Sequence, residues 1–498
     1  MKGKKVLIFQ QRGWAINIGH FLAKKLQSEG CKLAAFTLKR TTHEFIVNQK
    51  EVTYDLTISN DEIESRPKEY LGEDSYTLAE IEEALGVESI WPIVMSLRNH
   101  VRSYKDKFYY GSKQNVSDGG IIDYVMAVYK CIKFIFEQFS PDLIISPVFV
   151  GFPHIMFNLY AKKKGVTMLG TADSKISGMS LFSHDYLEDS GVFWNRVDLL
   201  NAGNEKSQNQ ERAKKYIAEF RKNFKYPTFI KKEPPKTLLQ KIRHFGSPYY
   251  HILRWYIKRP INELKSTGIT IDFRPPRIIL RDHYCKDRYT KFMNNFEYYP
   301  LNKIRKFVYF PLQVQPEAST DVSAPYFTNQ METARQIAMS LPDDYTLVVK
   351  EHPTMLGYQS PSYIEKLART VNVKLIDYKI STEEVLKRCD LVISLSSTTL
   401  AEAAFLNKPA IQLSNLGITL KLPNIFKHTD MTTLTAKIKE VLKKDLSGKE
   451  YERRLENYVS AVYDTGFDVN YSKIWERGGT PEEIAALWQA YKKEISKI

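Results

Sequence analysis

The sequence is poor in cysteine and has no long apolar run. Only four of its 498 residues are cysteines, and none belongs to a Cys-x-x-Cys pair. This scarcity excludes a sequence-evident zinc site and favours free thiols in a reducing cytoplasm. The longest apolar stretch, residues 143–161, is interrupted by Pro147, Pro153 and polar side chains. We therefore expect no membrane-spanning helix, and we expect the short apolar run at 6–9 to be a strand rather than a signal peptide.

Excess positive charge is confined to one segment. The chain carries a net charge of +15, yet residues 205–306 alone hold 25 Lys and Arg against 9 Asp and Glu. Because the remainder is close to neutral and no recognisable nucleic-acid-binding motif accompanies the charge, we do not expect a nucleic-acid partner. The apolar fraction of 43% is enough for several cores, and the length predicts two to four domains at ~100–200 residues each.

Strands and helices alternate in two parts of the chain. Buried-strand patterns occur at 6–9, 33–38, 142–146, 307–310, 346–350, 374–376, 391–394 and 410–413. Helical spacing separates them, which predicts an α/β protein with parallel sheets covered on both faces. The alternation breaks after about residue 200, where the chain becomes polar, basic and helical.

These patterns divide the chain into four predicted parts. Residues 1–200 form an N-terminal Rossmann-like domain, 201–304 a basic helical insertion or connection, and 305–470 a second Rossmann-like domain. Residues 471–498 form a C-terminal helix, for which Thr480, Pro481 and Glu483 supply a capping box. We expect this helix to return to the first domain.

The densest group of chemically active side chains is Lys350-Glu351-His352-Pro353, directly after a predicted strand. It places a cation, an acid and an imidazole at the carboxyl end of a parallel sheet, where open α/β folds bind ligands. Pro353 biases His352 away from helix. A His–Pro pair is also common in structural turns, so both interpretations stay open.

A second run, residues 394–402, places several hydroxyls between a buried strand and an Ala-rich helix. Ser396, Ser397 and Thr398 lie in this strand–turn–helix, whose backbone N–H groups and helix dipole suit a phosphate. Thr399 and Glu402 have the spacing of a capping box. Glu402 is therefore expected to cap the helix, to contact a ribose, or to do both.

A third run, residues 310–320, follows the first strand of the second domain. Gln315 lies within it, and Glu317 and Asp321 lie where a reacting group could be reached. An ordinary polar loop is the alternative.

Together the three runs resemble the bacterial capsule polysaccharide biosynthesis family, which includes the Kdo transferases of capsule export lipids. The likeness covers about residues 305–415, where a Gln-rich strand end, Lys-Glu-His-Pro and Asp-Leu-Val-Ile-Ser-x-Ser-Ser-Thr follow in order. His–Pro and Ser–Ser motifs also occur in GT-B sialyltransferases, where they hold CMP, and cytidine-nucleotide polyol-phosphate transferases are similar too. The resemblance implies the GT-B architecture, in which two Rossmann-like domains face each other across a cleft.

The resemblance also implies roles for individual residues. His352 and Pro353 would lie at the nucleotide phosphate and ribose, Ser396 and Ser397 at the phosphate, and Glu402 near the nucleotide. Lys350, Thr398 and Gln315 complete the expected donor site. A Gln-x-Asp-x-x-Ile motif supplies the reacting carboxylate in the retaining Kdo transferases. Here Glu317 replaces its Asp and Thr320 its Ile.

The first domain is expected to bind the acceptor. Asp173, in a predicted acidic loop at 169–176, and His20, just after Gly19 in the first β–α turn, are its candidates. A surface loop and an N-terminal helix histidine are the alternatives. The catalytic candidates are Glu317, Asp173 and His352. We expect no metal and no cofactor, because no isolated Asp-x-Asp is present and cationic groups can stabilise the leaving group.

The sequence thus predicts a cytoplasmic glycosyltransferase of surface polysaccharide synthesis. Its donor would be a nucleotide sugar, foremost a CMP-activated acidic sugar such as Kdo, and its acceptor a glycan or lipid-linked glycan. A CDP-polyol phosphotransferase, a UDP-sugar 2-epimerase and a non-catalytic scaffold are the alternatives. Cations interleaved with apolar side chains at 231–259 indicate an anionic membrane surface, an acidic-acceptor groove or a plain solvated face.

Overall fold

The computed structural model describes residues 1–103, 114–224, 237–258 and 275–498. It divides into two units. The first consists of Met1–Ser96, Ser117–Gln210 and Asn457–Ile498, and the second of Leu97–Val116 and Glu211–Glu456. The predicted α/β class with two Rossmann-like domains is confirmed, since each unit is built on one mostly or wholly parallel sheet.

Thirteen strands lie within the described residues. They are β1 (Lys5–Gln10), β2 (Lys32–Thr37), β3 (Leu56–Ser59), β4 (Leu143–Ile145), β5 (Thr167–Asp173), β6 (Met179–Ser183), β7 (Phe307–Pro311), β8 (Thr346–Lys350), β9 (Val373–Ile376), β10 (Leu391–Ser394), β11 (Ala410–Gln412), β12 (Ile425–Lys427) and β13 (Phe467–Asp468).

The α-helices within the described residues connect and cover these strands. They are α1 (Arg12–Trp14), α2 (His20–Ser28), α3 (Arg40–Asn48), α4 (Asn60–Ser65), α5 (Pro67–Leu71), α6 (Leu78–Leu85), α7 (Trp91–Val94), α8 (Arg98–Val101), α9 (Asp118–Gln138), α10 (Phe152–Lys163), α11 (Val192–Ala202), α12 (Gln210–Lys222), α13 (Leu238–Lys258), α14 (Pro276–Asn295), α15 (Ala318–Asp321), α16 (Gln330–Met339), α17 (Pro361–Ala368), α18 (Thr382–Arg388), α19 (Thr398–Phe405), α20 (Leu434–Val441), α21 (Lys449–Thr465), α22 (Tyr471–Arg477) and α23 (Pro481–Ile495).

The sheet of the first unit has the order β13-β6-β5-β4-β1-β2-β3. Strands β1 to β5 are parallel, and β6 and β13 add antiparallel pairs at one edge. The central strand β1 is buried over Val6–Gln10 because parallel strands carry helices on both faces.

The last helix of the chain belongs to the core of the first unit. Thr480 and Glu483 form the expected capping box, with Thr480 Oγ1 accepting from the Glu483 N–H at 3.3 Å. From this start α23 buries Leu487, Trp488 and Tyr491 in the cluster that contains Val6 and Ile8. The returning segment begins at residue 457 by this division, earlier than the predicted 471.

The sheet of the second unit has the order β12-β11-β10-β7-β8-β9, and all its pairs are parallel. The first strand, β7, lies between β8 and β10, so the connections leave it toward opposite sides. Apolar clusters cover both faces of this sheet. Such a switch point opens a crevice at the carboxyl ends of the central strands.

The basic segment is helical where it is described, through α12, α13 and α14. Within these ranges α13 contacts α14: His244 Nε2 lies 3.0 Å from Asp287 Oδ1. Lys231, Lys232, Lys236 and Arg259 of the predicted membrane-contact segment lie outside the described residues. No helix in the described ranges has the length and apolar character needed to cross a membrane.

Candidate functional site

The three predicted motifs lie together at the carboxyl edge of the second unit's sheet. They follow β7, β8 and β10, which are neighbours in the strand order. Across the switch point, Gln313 Nε2 donates to Ser394 Oγ at 3.2 Å, joining the ends of β7 and β10. The Gln315 N–H faces Met355 Sδ at 3.5 Å, which links the loops after β7 and β8. Residues more than eighty positions apart in the sequence thus come together at one edge of the sheet.

Lys350 and Glu402 form a buried pair of ionisable groups at this edge. Lys350 Nζ donates to the Ile380 carbonyl at 2.9 Å and to Thr382 Oγ1 at 3.1 Å. Burial lowers the pKa of Lys350 to about 8, while the Glu402 carboxylate acts in the opposite direction. Burial raises the pKa of Glu402 to about 7, opposed by the Lys350 ammonium. The pair therefore connects β8 to α19 electrostatically.

The capping interpretation of Glu402 is wrong. Helix α19 begins at Thr398, and its N-cap is Ser397, whose Oγ accepts from the Thr399 N–H at 3.1 Å. Thr399 is thus inside the helix rather than before it. Glu402 is only 6% exposed, one turn into α19, where its carboxyl is turned into the protein.

Glu351 is a site residue that sequence reasoning did not single out. Its Oε1 accepts from the His352 N–H at 2.8 Å, and its Oε2 has no hydrogen-bond partner in the part of the chain that the structure describes. Burial raises the pKa of Glu351 to about 8, so the side chain is mainly a neutral acid at pH 7. Its position in the middle of Lys-Glu-His-Pro was the only available signal.

His352 is positioned as a neutral hydrogen-bond donor. Its Nδ1 accepts from the Thr354 N–H at 3.3 Å and lies 2.8 Å from Thr354 Oγ1. A nitrogen that accepts from a backbone N–H carries no proton, so the neutral ring holds its proton on Nε2. Burial and the Lys350 charge lower the pKa of His352 to about 4. At pH 7 the His352 ring in this structure is therefore neutral, with its proton on Nε2.

The turn interpretation of the His–Pro pair also applies. His352 is the N-cap of a 3-10 turn, Pro353–Met355, with Pro353 as its first residue. Capping uses Nδ1 alone. Because Nε2 takes no part in the cap, the structural and the binding interpretations are compatible.

In the hydroxyl-rich run at 394–402, Ser397 caps a helix, whereas Ser396 and Thr398 are partly accessible. Ser397 is 8% exposed and is occupied as the cap of α19. Ser396 and Thr398 are half-buried at the start of this eight-residue helix. Gly417 packs against the loop at φ +107°, and a Cβ there would lie 3.2 Å from Ser396 Oγ. The N-terminal end of α19 adds partial positive charge next to Ser396, which favours an anion.

The loop after β7 contains one exposed candidate, Glu317, and one buried candidate, Gln315. Glu317 is exposed; its Oε2 accepts from Ser319 Oγ at 2.8 Å. Gln315 is 1% exposed; its Nε2 donates to the Thr328 carbonyl at 2.8 Å and its Oε1 accepts from Gln330 at 3.3 Å. Contact between Gln315 and the donor substrate would break these hydrogen bonds, whereas Glu317 is exposed and can face a ligand.

Asp321 is not placed to reach a reacting group. Its side chain is fully buried and accepts from Arg98 Nε at 3.1 Å and from Arg102 Nη2 at 2.8 Å. Both arginines come from residues 97–116, which belong to the same unit. The carboxylate is thus an internal anchor. Because the two arginines lie more than two hundred residues away in the sequence, this role could not be predicted from the sequence pattern.

The acceptor candidates lie in the first unit. Asp173 is the last residue of β5, not part of a free loop, and its exposed carboxylate pairs with Lys175 Nζ at 2.9 Å. His20 is about two turns into a helical segment that starts at Arg12, and not in the β–α turn as expected. Its Nε2 lies 2.7 Å from Glu51 Oε2. No pattern in the sequence signalled the π-helical turn Ala15–Gly19 that shifts His20.

One group of residues in the described ranges has ligand atoms spaced to hold a metal ion. It consists of His244, His283 and Asp287, whose ligand atoms lie within 4.8 Å of one another. They lie on α13 and α14 and include none of the predicted site residues.

Comparisons with solved structures give distant likenesses. The chain is similar to the β-Kdo 2,7 transferase KpsC of Thermosulfurimonas dismutans at 12% identity, over 73% of this chain and 89% of that one, with a TM-score of 0.35. It is similar to S. aureus MnaA in a co-structure with UDP at 12% identity, over 100% and 98%, with a TM-score of 0.27. For CalG4, the calicheamicin glycosyltransferase, the identity is 11% over 100% of both chains, with a TM-score of 0.29. The fold assignment rests on the two sheets described above.

A family model gives the more specific finding. No curated protein matches the chain. Residues 275–417 match the model described as "Capsule polysaccharide biosynthesis protein", a stretch that runs from α14 to just beyond β11. All three edge motifs fall inside it, so the resemblance seen in the sequence is confirmed for the capsule polysaccharide biosynthesis family over this part of the chain.

Proposed function

We propose that the chain is a glycosyltransferase of bacterial surface polysaccharide synthesis that uses a nucleotide-activated sugar. One observation supports the proposal. Three motifs inside the matched segment lie together at the carboxyl edge of one Rossmann-like sheet. The donor that the motifs favour is a CMP-activated acidic sugar such as Kdo. We assign the acceptor, a glycan or lipid-linked glycan, to the first unit, with His20 and Asp173 as residues to test.

In this proposal the edge stabilises the departing nucleotide phosphate. Lys350 supplies an ammonium group, which already donates hydrogen bonds to the Ile380 carbonyl and to Thr382 Oγ1. The Nε2 proton of His352, the Ser396 hydroxyl and the N-terminal end of α19 add hydrogen bonds and partial charge. Such preorganised donors act where negative charge develops, and they need no metal or cofactor.

Glu317 is the carboxylate we assign to the reacting sugar. It is exposed at the same edge, while Asp321 is used internally by Arg98 and Arg102. A carboxylate here would serve as base or as nucleophile, which correspond to inverting and retaining outcomes. Glu317→Gln removes either role and keeps the shape, so product formation should fall at least a hundredfold while donor binding persists.

Isothermal titration with CMP, CDP, UMP, GMP and AMP tests the nucleotide. We expect the cytidine nucleotides to bind best, and His352→Ala to weaken that binding. His251→Ala, a change of an exposed histidine on α13 of the second unit, is the matched control. Equal affinity for all five nucleotides would overturn the cytidine assignment.

Product analysis with activated sugars separates the alternatives. A glycosidic product supports the proposal, a phosphodiester product indicates a CDP-polyol phosphotransferase, and an isomerised nucleotide sugar with no new bond indicates a 2-epimerase. Loss of all nucleotide binding would favour a scaffold.

A further inference from the structure

Helix α13 has an unusual exposed apolar face. Nine large apolar side chains along its length are between 48% and 78% exposed: Leu238, Leu239, Ile242, Phe245, Tyr249, Tyr250, Leu253, Tyr256 and Ile257. At 100° per residue they occupy one continuous face of the helix, which we call the apolar face of α13. Exposed apolar patches of this extent usually mark an interaction surface.

The opposite side of α13 accounts for its attachment to the second unit. His244 contacts Asp287 and His283 of α14, and Pro248 is buried. Tyr249 and Tyr284 bring their hydroxyls within 3.0 Å at the margin of this contact. Packing on α14 therefore leaves the apolar face outward.

The charge on α13 indicates which partner covers this face. The helix contains Lys241, Arg243, Arg254 and Lys258 and no Asp or Glu. On the helical wheel Lys241 borders one side of the apolar face, and Arg243 and Arg254 border the other. The surrounding segment, residues 205–306, carries a net charge of +16. A wide apolar face bordered by cations is the pattern of helices that lie in the interface of an anionic bilayer.

We propose that the apolar face of α13 inserts into the surface of an anionic membrane and holds the protein there without spanning it. The inserted side chains supply apolar burial, and the bordering cations contact lipid phosphates. The proposal does not depend on the transferase activity. We choose lipid over a second protein copy because pairing two copies through this face would bring the same three bordering cations against themselves.

Vesicle co-sedimentation of the full chain tests the proposal. We expect the protein to sediment with vesicles of phosphatidylcholine and phosphatidylglycerol, and several-fold less with phosphatidylcholine alone or at high salt. Leu239→Glu with Leu253→Glu should weaken binding about tenfold or more, because both changes place a carboxylate in the inserted face. Arg243→Gln with Arg254→Gln should reduce the preference for anionic vesicles and leave residual binding.

The matched control is Val47→Glu with Val371→Glu. These residues are 58% and 84% exposed but lie outside α13, so binding should not change. Circular dichroism and thermal melting show that each variant is folded. The proposal is overturned if the wild-type chain ignores anionic vesicles or if the α13 variant binds as well as the control. A wild-type dimer that the α13 variant dissociates, without vesicle binding, would assign the face to a second copy.

Discussion

Glu351 shows how the fold changes the chemistry of one residue. The side chain is 1% exposed, and burial raises its pKa from 4.5 to about 8. Between these two values the folded protein keeps a proton that the unfolded chain releases. This group therefore destabilises the folded state progressively as the pH rises from about 4.5 to 8. The single hydrogen bond from the His352 N–H lowers the pKa but does not offset burial.

Glu351→Gln should remove that pH dependence. The amide keeps the side-chain volume and cannot ionise. The unfolding free energy of the variant, relative to that of the wild type, should therefore rise by more than ~1 kcal/mol from pH 5 to pH 8. Chemical denaturation at the two pH values measures the difference. Glu297→Gln, at an exposed position of the same unit, is the control and should show no such gain. A constant difference between wild type and Glu351→Gln would contradict the buried neutral acid.

Ser396 and Ser397 separate ligand binding from helix capping. Ser396→Ala should raise the KM for the donor roughly tenfold or more and leave the Tm unchanged, because a hydrogen bond to a charged phosphate contributes ~1.5–3 kcal/mol. Ser397→Ala should instead lower stability by ~0.5–2 kcal/mol, since its Oγ caps α19. Steady-state kinetics and thermal melting on the two single variants check this. An unchanged KM in Ser396→Ala would reject the phosphate contact.

At the scale of elements, Asp321 ties α8 to α15 inside the second unit. Removing its carboxylate leaves Arg98 and Arg102 without their buried partner, so Asp321→Ala should lower the unfolding free energy by ~3–5 kcal/mol. Asp344→Ala is the matched control. It breaks an ion pair with Lys306 that is about half exposed on both sides, so the loss of stability should be several-fold smaller than in Asp321→Ala. Comparable losses in the two variants would show that Asp321 is not an anchor.

Elements with a strong apolar pattern were predicted well, and elements fixed by distant contacts were not. The strand at 391–394 coincides with β10, because four consecutive buried residues leave little choice of state. β6 and β13 were missed: β13 has two residues and is held only by pairing with β6. The edge site shows the same division. Spacing placed its motifs on adjacent strands, whereas the burial of Glu351 and the tautomer of His352 follow from packing that the sequence does not display.

At the scale of the whole molecule, each unit has its own core and its own candidate role. The core of the first unit combines the start and the end of the chain, from Val6 in β1 to Tyr491 in α23. The core of the second unit covers the sheet that carries the edge site. Separate cores allow the stability of one unit to change without altering ligand binding in the other.

Leu487→Ala tests this independence. Leu487 is fully buried in the first unit, and its truncation should cost ~2–5 kcal/mol there. We expect calorimetry to resolve two transitions, of which Leu487→Ala lowers one. Saturating CMP should raise only the other, because a ligand stabilises the unit that binds it. The dissociation constant for CMP at 25 °C should be the same in variant and wild type. If Leu487→Ala lowers the transition that CMP raises, or weakens CMP binding, the nucleotide site is not confined to the second unit.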